Sequence, residues 1–295
     1  MTEFKNVNAN IPASAVTSGT KTITANGVYD VTEFKNVRVA VFEDSVRTSP
    51  IDGLSYTDGL PINWLTLKEV AKMISEASGS INANTTGSVY VNKGGLGYKI
   101  TPGNTINITT SQMGTIKYAV MGFNNFALTN KSNYGGTHNT AGLTFGEVDC
   151  VGESYKMNST NTARDGWGNC LMRTSTMPTL QSGMPATLAQ VKVPYVNRNQ
   201  STISYSDDYM FLPAEKEVFG NRKNSPTAEA NALTQFAYYK NGGSKIKSLS
   251  GSALKWWLRS VDYYSAGHFC GVDTSGGAGK VIASGSHGVA PCFCI

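Results

Sequence analysis

Charge is scarce in this chain. Only 15% of its 295 residues are Asp, Glu, Lys or Arg, against ~25% in an ordinary globular domain. No dense Lys/Arg run occurs, so the formal charge of +5 reads as a mildly basic surface and not as a nucleic-acid footprint. No stretch of ~18 apolar residues is present, and no membrane insertion is expected. The opening MTEFKNVNAN lacks the basic and apolar segments of a secretory leader. The expectation is a chain folded in the cytoplasm that reaches the outside, if at all, by lysis or in a particle. HExxH, GxSxG, CxxC and zinc-ligand spacings are also missing. No catalytic residues, metal or cofactor are therefore expected. His138, His268 and His287 are scattered and read as loop histidines. The five cysteines, Cys150, Cys170, Cys270, Cys292 and Cys294, are odd in number and read as buried free thiols. Gly276-Gly277-Ala278-Gly279-Lys280 fails as a phosphate loop. Thr274 stands where the first Gly is needed, and Val281 follows the Lys.

What is present favours turns and short strands: 31 Gly beside 40% hydrophobic residues. Thr2-Glu3-Phe4-Lys5-Asn6-Val7 recurs as Thr32-Glu33-Phe34-Lys35-Asn36-Val37. Alternation at Val37, Val39 and Val41 and the Asn26-Gly27 turn signal predict a small β module over 1–48. A linker with Pro50, Gly53 and Gly59 follows, and the main domain is placed at 55–295. Thr66-Leu67-Lys68-Glu69 reads as a capping box opening a helix that Gly79 ends, with Leu67, Val70, Ala71, Ile74 and Ala77 on its apolar face. Tyr90 to Met121 alternates in strand fashion, with turns at Gly94-Gly95 and Pro102-Gly103. A second helix is predicted over Ala228 to Tyr239. The fold class is α+β.

The segment from Trp256 to Ile295 has the most unusual composition. Trp256-Trp257-Leu258 and Cys292-Phe293-Cys294-Ile295 bracket a stretch rich in Tyr, Asp, Ser, Gly, His, Val and Ala. That stretch has no Glu and a single Lys. Tyr gives broad amphipathic contact at small entropic cost, and Ser, Gly and Asp give adaptable hydrogen bonding. A self-burying frame with such a filling suggests a binding face. Asp207-Asp208 and the Glu215/Glu217 pair are the alternative acid/base candidates, read here as surface or framework carboxylates.

Seven segments together carry a resemblance. They are Tyr118–Asn124, Gly142–Phe145, Gly166–Arg173, Phe211–Gly220, Ala237–Lys245, Trp256–Ser260 and Gly288–Ile295. In this order they resemble a prophage-borne family of gut Firmicutes whose C-terminus looks like the variable region of diversity-generating retroelement target proteins. The resemblance covers about Leu60 to Ile295. It implies a C-type lectin fold of the formylglycine-generating-enzyme subtype. The first 42 or so residues resemble modules with an I-T-x-N-G-x-Y-x-V pattern at the front of phage tail and baseplate proteins.

In such systems a template is copied with errors at adenines, and AAC codons then yield Tyr, Asp, His, Ser, Gly and a few others. Asp262, Tyr263, Tyr264, Ser265, Gly267, His268, Gly271, Asp273, Ser275, Gly277, Ser284, Ser286 and His287 fit that set and are the expected ligand-binding residues, within a variable region of about 256–295. Lys280 does not fit. Trp256, Trp257 and Leu258 are expected in the core, Arg259 on carbonyls or on Glu215 or Glu217, and Phe293 and Ile295 closing the sheet that presents the variable loops. The resemblance implies a receptor-binding protein of a phage tail. Its partners would be a host-cell surface protein or glycan and, through the β module, tail or baseplate proteins; a homotrimer is part of the same expectation. A chromosomal surface adhesin of the same fold is the alternative. Kinship with formylglycine-generating enzymes, which bind copper with two cysteines, adds a copper oxidase as the enzymatic rival, with Cys270, Cys292 and Cys294 at the corresponding end of the chain.

Overall fold

The computed structural model describes residues 64–295 apart from 94, 95, 135, 164 and 199, together with the backbone of three short strands before them. The chain divides into two compact units, Met1–Arg47 and Thr48–Ile295. In the first, β1 (Thr17–Ser18) pairs antiparallel with β2 (Lys21–Thr22). The Thr2–Val7 and Thr32–Val37 repeat, the Asn26-Gly27 turn and the Val37–Val41 alternation lie outside the described residues. So does the linker, apart from β3 (Leu54–Ser55).

The second unit mixes helix and strand, with antiparallel sheets and short helices, among them α2 (Gly166–Asn169), α3 (Met177–Gln181) and the paired strands β13 (Lys247–Leu249) and β14 (Ser252–Leu254). Helix α1 (Trp64–Glu76) opens it. It begins two residues before the predicted capping box, so Thr66 lies inside the first turn. Trp64 explains the extra length: it is buried, with its ring centroid 6.4 Å from that of Phe293. The next strands follow the sequence pattern. Strands β4 (Val89–Lys93) and β5 (Leu96–Ile100) pair around the Gly94-Gly95 position. Strand β6 (Thr105–Thr110) follows the turn at Gly103, whose φ of 98° suits glycine. Strand β7 (Gly114–Phe123) runs antiparallel to it.

Six strands form the principal sheet, in the order β12 (Met210–Phe211), β18 (Cys292–Cys294), β9 (Leu143–Glu147), β7, β6, β3. Phe293 fixes its centre: the ring stacks on Phe145 at 5.3 Å and meets Tyr118 edge-on at 5.0 Å. Gly142 lets α1 approach, because a Cβ there would lie 1.8 Å from the Ala71 carbonyl oxygen. A second sheet joins β11 (Ser204–Asp208), β10 (Val191–Tyr195) and β8 (Ala127–Leu128).

The third sheet holds the segment of unusual composition: β15 (Trp256–Val261), β16 (His268–Val272) and β17 (Ala278–Ile282). Every residue of β15 is buried. Strand β17 lies at the sheet edge, with Lys280 and Ile282 exposed. Phe293 and Ile295 are fully buried, but β18 belongs to the six-stranded sheet, so they do not close the sheet of β15, β16 and β17 as expected. Gly288, in the segment that leads into β18, bonds to the start of β15: its carbonyl accepts from Trp257 N–H at 3.0 Å and its N–H donates to the Lys255 carbonyl at 2.8 Å.

The predicted helix over 228–239 is broken. Two short helices stand there, α5 (Thr227–Ala232) and α6 (Ala237–Lys240). The break is a tertiary effect. Phe236 is drawn into the core, 6.2 Å from the Phe126 ring, and its N–H donates to the Glu217 carbonyl at 2.9 Å. No helix among the described residues is long and apolar enough to cross a membrane.

Candidate functional site

The site is built outward from β15. Arg259 is fully buried, and such a charge is tolerable only when paired and fully hydrogen-bonded. Its Nη1 and Nη2 donate to the two carboxylate oxygens of Glu217 at 2.6 and 2.7 Å. Nη1 also reaches the Leu212 carbonyl at 2.9 Å, and Nε the Pro194 carbonyl at 3.0 Å. Desolvation works against the guanidinium charge, and Glu217 more than offsets it, leaving the Arg259 pKa raised. Glu217 lies on α4 (Glu215–Phe219), and its other duty is to accept the Ala214 N–H at the helix start. Arg259 therefore takes both kinds of partner expected of it, carbonyls and a carboxylate.

Glu215 performs a different task. Its carboxylate accepts the N–H groups of Lys223, Asn224 and Ser225 at 2.9 Å each, and the Ser225 hydroxyl at 2.8 Å. Its own N–H donates to Ser260 Oγ at 2.9 Å. The 222–225 loop is thus tied to a fully buried carboxyl group. That loop in turn holds the display segment: Tyr263 N–H donates to the Asn224 carbonyl at 2.8 Å, and Asn224 Nδ2 reaches the Gly279 carbonyl at 3.4 Å.

Tyr263 and Tyr264 stand on this base, 44% and 63% exposed. Their rings are 5.2 Å apart at 89°. Arg222 caps both, its guanidinium carbon 5.3 Å from one centroid and 6.0 Å from the other. Beside them Ser265 Oγ and His268 Nδ1 share a 2.6 Å hydrogen bond. Ser284 is tied to Asn161 Oδ1 through its hydroxyl. Gly267 sits where a Cβ would come within 3.1 Å of the Asn161 carbonyl.

The remaining expected residues lie elsewhere. The register pairs His268 with Ile282 at one end of the sheet and Val272 with Ala278 at the other. Tyr263, Tyr264, Ser265, Gly267, His268 and Ser284 gather at the first end. Asp273, Ser275 and Gly277 form the β16–β17 turn at the opposite end, about 13 Å away at ~3.3 Å per residue. That turn is self-satisfied. Asp273 Oδ1 accepts from Ser275 N–H, Ser275 Oγ–H and Gly277 N–H, and the Ser275 hydroxyl bond leads the causes that hold its carboxyl below the usual range. Ser286 is exposed; His287 is half-buried, with its ring edge-on to Trp257 at 5.0 Å. Burial, aided by Lys255, lowers the His287 pKa.

Two expected display residues are buried instead. Asp262 is 0% exposed. Its Oδ1 accepts Tyr264 N–H at 3.1 Å, its N–H donates to the His268 carbonyl at 3.0 Å, and Oδ2 lies 3.5 Å from Lys280 Nζ. It shapes the loop, as a short carboxylate bonding two residues ahead does. Lys280, which did not fit the substitution set, is its ion-pair partner. Gly271 is buried too: a Cβ there would lie 2.8 Å from Val281 Cγ2 and 3.0 Å from the Trp256 carbonyl. The residues that sequence reasoning missed are Arg222 and the exposed Lys280 and Ile282. Arg222 lies more than thirty positions before the aromatic pair, and nothing local marks it.

A family model described as a domain of unknown function, DUF6273, matches residues 143–295, just over half of the chain. The chain belongs to this family. Neither the curated proteins nor the solved structures contain a match to it. The DUF6273 segment begins at the first residue of β9 and ends with the chain, so it holds β15, β16, β17, the 222–225 loop and the buried Arg259 cluster. Helix α1 and strands β4 to β7 lie before it.

The cysteines of the DUF6273 segment are dispersed. Cys270 Sγ lies 3.5 Å from the Val261 carbonyl on the adjacent strand β15, whereas Cys294 Sγ lies 3.5 Å from Thr144 Oγ1 in the six-stranded sheet. Burial pushes the Cys270 and Cys292 thiols well up and Cys294 to about 12. All five cysteines are free and buried. Among the described residues no group of three His, Cys, Asp or Glu is arranged to hold a metal ion. The acid/base candidates are engaged as well. Asp208 accepts Trp167 Nε1–H at 2.9 Å, Ser206 Oγ–H at 2.6 Å and Arg173 Nε–H at 2.7 Å, and Asp207 is exposed near Lys192. Of the histidines, His138 is buried beside Glu76 at 3.2 Å, and His268 opens β16.

Proposed function

We propose that this protein is a phage or prophage receptor-binding protein. A C-type-lectin-like domain of the formylglycine-generating-enzyme subtype would present a diversified surface to a host-cell ligand, and the N-terminal module would attach to a tail or baseplate. The observation that carries the reading is the division of labour around β15. Trp256, Trp257, Leu258 and Arg259 are wholly buried, while Tyr263 and Tyr264, a few residues on, are large aromatics held in the open. A surface can vary only if its side chains contribute little to folding. Here the backbone bonds, Glu215 and the Asn224 contacts fix the loops, while the side chains of Tyr263, Tyr264, Ser265, His268 and Ser284 bond, among the described residues, only to one another and to Arg222 and Asn161, so they can differ without loss of that frame. Affinity per copy would be modest, and several copies on one particle would supply avidity.

The test is a library. Randomising Tyr263, Tyr264, Ser265, His268 and Ser284 together should leave most members folded, read as cooperative melting near the parent temperature. A matched library at Trp256, Leu258, Arg259, Asp262 and Gly271 should leave few. Equal losses in the two libraries would refute the display reading.

A further inference from the structure

The chemistry of the Tyr263/Tyr264 end favours one kind of ligand. Two of its carboxylates are taken up by the framework: Glu215 spends its oxygens on the 223–225 backbone, and Asp262 is buried against Lys280. Its cations face outward. Arg222 gives Nε–H to the Ser225 carbonyl and, among the described residues, forms no ion pair. The Lys223 side chain is exposed, with no hydrogen bond or ion pair among those residues either. Two perpendicular aromatic faces thus lie beside a guanidinium that has no anionic partner among the described residues, and the exposed Lys223 follows it in the chain. Two clefts of the domain, of about 370 and 280 Å³, are lined by other residues, and at this end the exposed Tyr263 and Tyr264 rings form an open platform.

Resting on the binding-face reading above, we propose that this platform takes an acidic polysaccharide, one built from uronate sugars. The C–H face of a pyranose lies flat on a tyrosine ring, and a ring carboxylate would meet the Nη edge of Arg222 in the fork geometry that guanidinium groups favour. Lys223 would add attraction that salt screens. An acidic peptide satisfies the charge but makes less use of two exposed ring faces set at right angles.

The experiment uses the full chain against immobilised polygalacturonate, alginate and hyaluronate, each beside its carboxyl-reduced neutral form, with poly-glutamate as the peptide control. At least one uronate polymer should bind, about tenfold or more over its reduced form, and binding should weaken between about 0.05 and 0.5 M salt. Arg222→Gln and Tyr264→Ala should each lower it about tenfold at an unchanged melting temperature. Because Arg222 also bonds the loop, Lys223→Gln serves as an independent variant, with a several-fold loss expected. Binding to none of the three polymers, equal binding to the reduced forms, or indifference to both cation variants would overturn the proposal. Preference for poly-glutamate would overturn the saccharide assignment while leaving a binding face. The library experiment judges that face separately, so the two failures are distinguishable.

Discussion

Glu229 sits where its charge is least welcome. It lies on α5, 1% exposed; Oε1 accepts the Ser260 hydroxyl, and Oε2 has no hydrogen-bond partner. The nearest buried cation, Arg259, is already committed to Glu217 by two bonds. Desolvation is the largest influence on Glu229. Arg259 and the Ser260 bond oppose it, Glu217 and Glu215 reinforce it, and its pKa rises from 4.5 to about 7. The folded state therefore binds this proton more tightly than the unfolded chain. The resulting stabilisation is fully present below pH 4.5, is lost as pH rises towards 7, and is absent above that. The displacement corresponds to about 3 kcal/mol, taken as an upper bound. Glu229→Gln removes the ionisation at nearly constant shape. Urea unfolding of both proteins at pH 4.5 and pH 8 isolates the effect, because any fixed cost of the amide cancels between the two conditions. The variant should gain about 1–3 kcal/mol on the parent on going from pH 4.5 to pH 8. A stability difference that does not move across this window would refute the reasoning and place the charge of Glu229 in contact with a partner or solvent.

Other expectations follow from the same framework. Tyr263→Ala with Tyr264→Ala should abolish ligand binding and shift the melting temperature little, whereas Trp257→Ala, which loses a buried ring and its Nε1–H bond to the Tyr155 carbonyl at 2.8 Å, should cost roughly 3–5 kcal/mol in chemical unfolding. Glu215→Gln should speed amide exchange in residues 223–225 and at Tyr263 and lower stability by about 1–3 kcal/mol; unchanged exchange there would remove Glu215 from the support of the display loop. Gly271→Ala should destabilise by about 1–3 kcal/mol through contact with Val281 and Trp256, while Ser284→Ala, on the surface, should stay within about 0.5 kcal/mol.

The parts of this architecture legible in the sequence are those set by local chemistry. The strand alternation of residues 90–121 and the turn at Pro102-Gly103 needed only period and glycine, and Trp256-Trp257-Leu258 needed only size and apolarity. Arg259 was expected on carbonyls or on Glu215 or Glu217, and it takes two carbonyls together with Glu217. What was not legible depended on partners far along the chain. Asp262 looks like a loop residue until Lys280 and the His268 carbonyl close on it. The helix expected over 228–239 breaks because Phe236 is captured by Phe126 and Glu217. Strand β18 lies beside β9, from the other half of the chain, so Phe293 closes a different sheet from the one expected. Arg222 could not have been linked to Tyr263 and Tyr264 without the 222–225 loop, which Glu215 folds under them.

If the surface around Tyr263 and Tyr264 is diversified for binding, the DNA downstream of the gene carries the record. Sequencing it should reveal a near-copy of codons 256 to 295, carrying AAC where Tyr263, Tyr264 and His268 now stand, beside a reverse-transcriptase gene and among tail genes. A flank with neither copy nor reverse transcriptase would contradict diversification and leave a fixed adhesive face on the same framework.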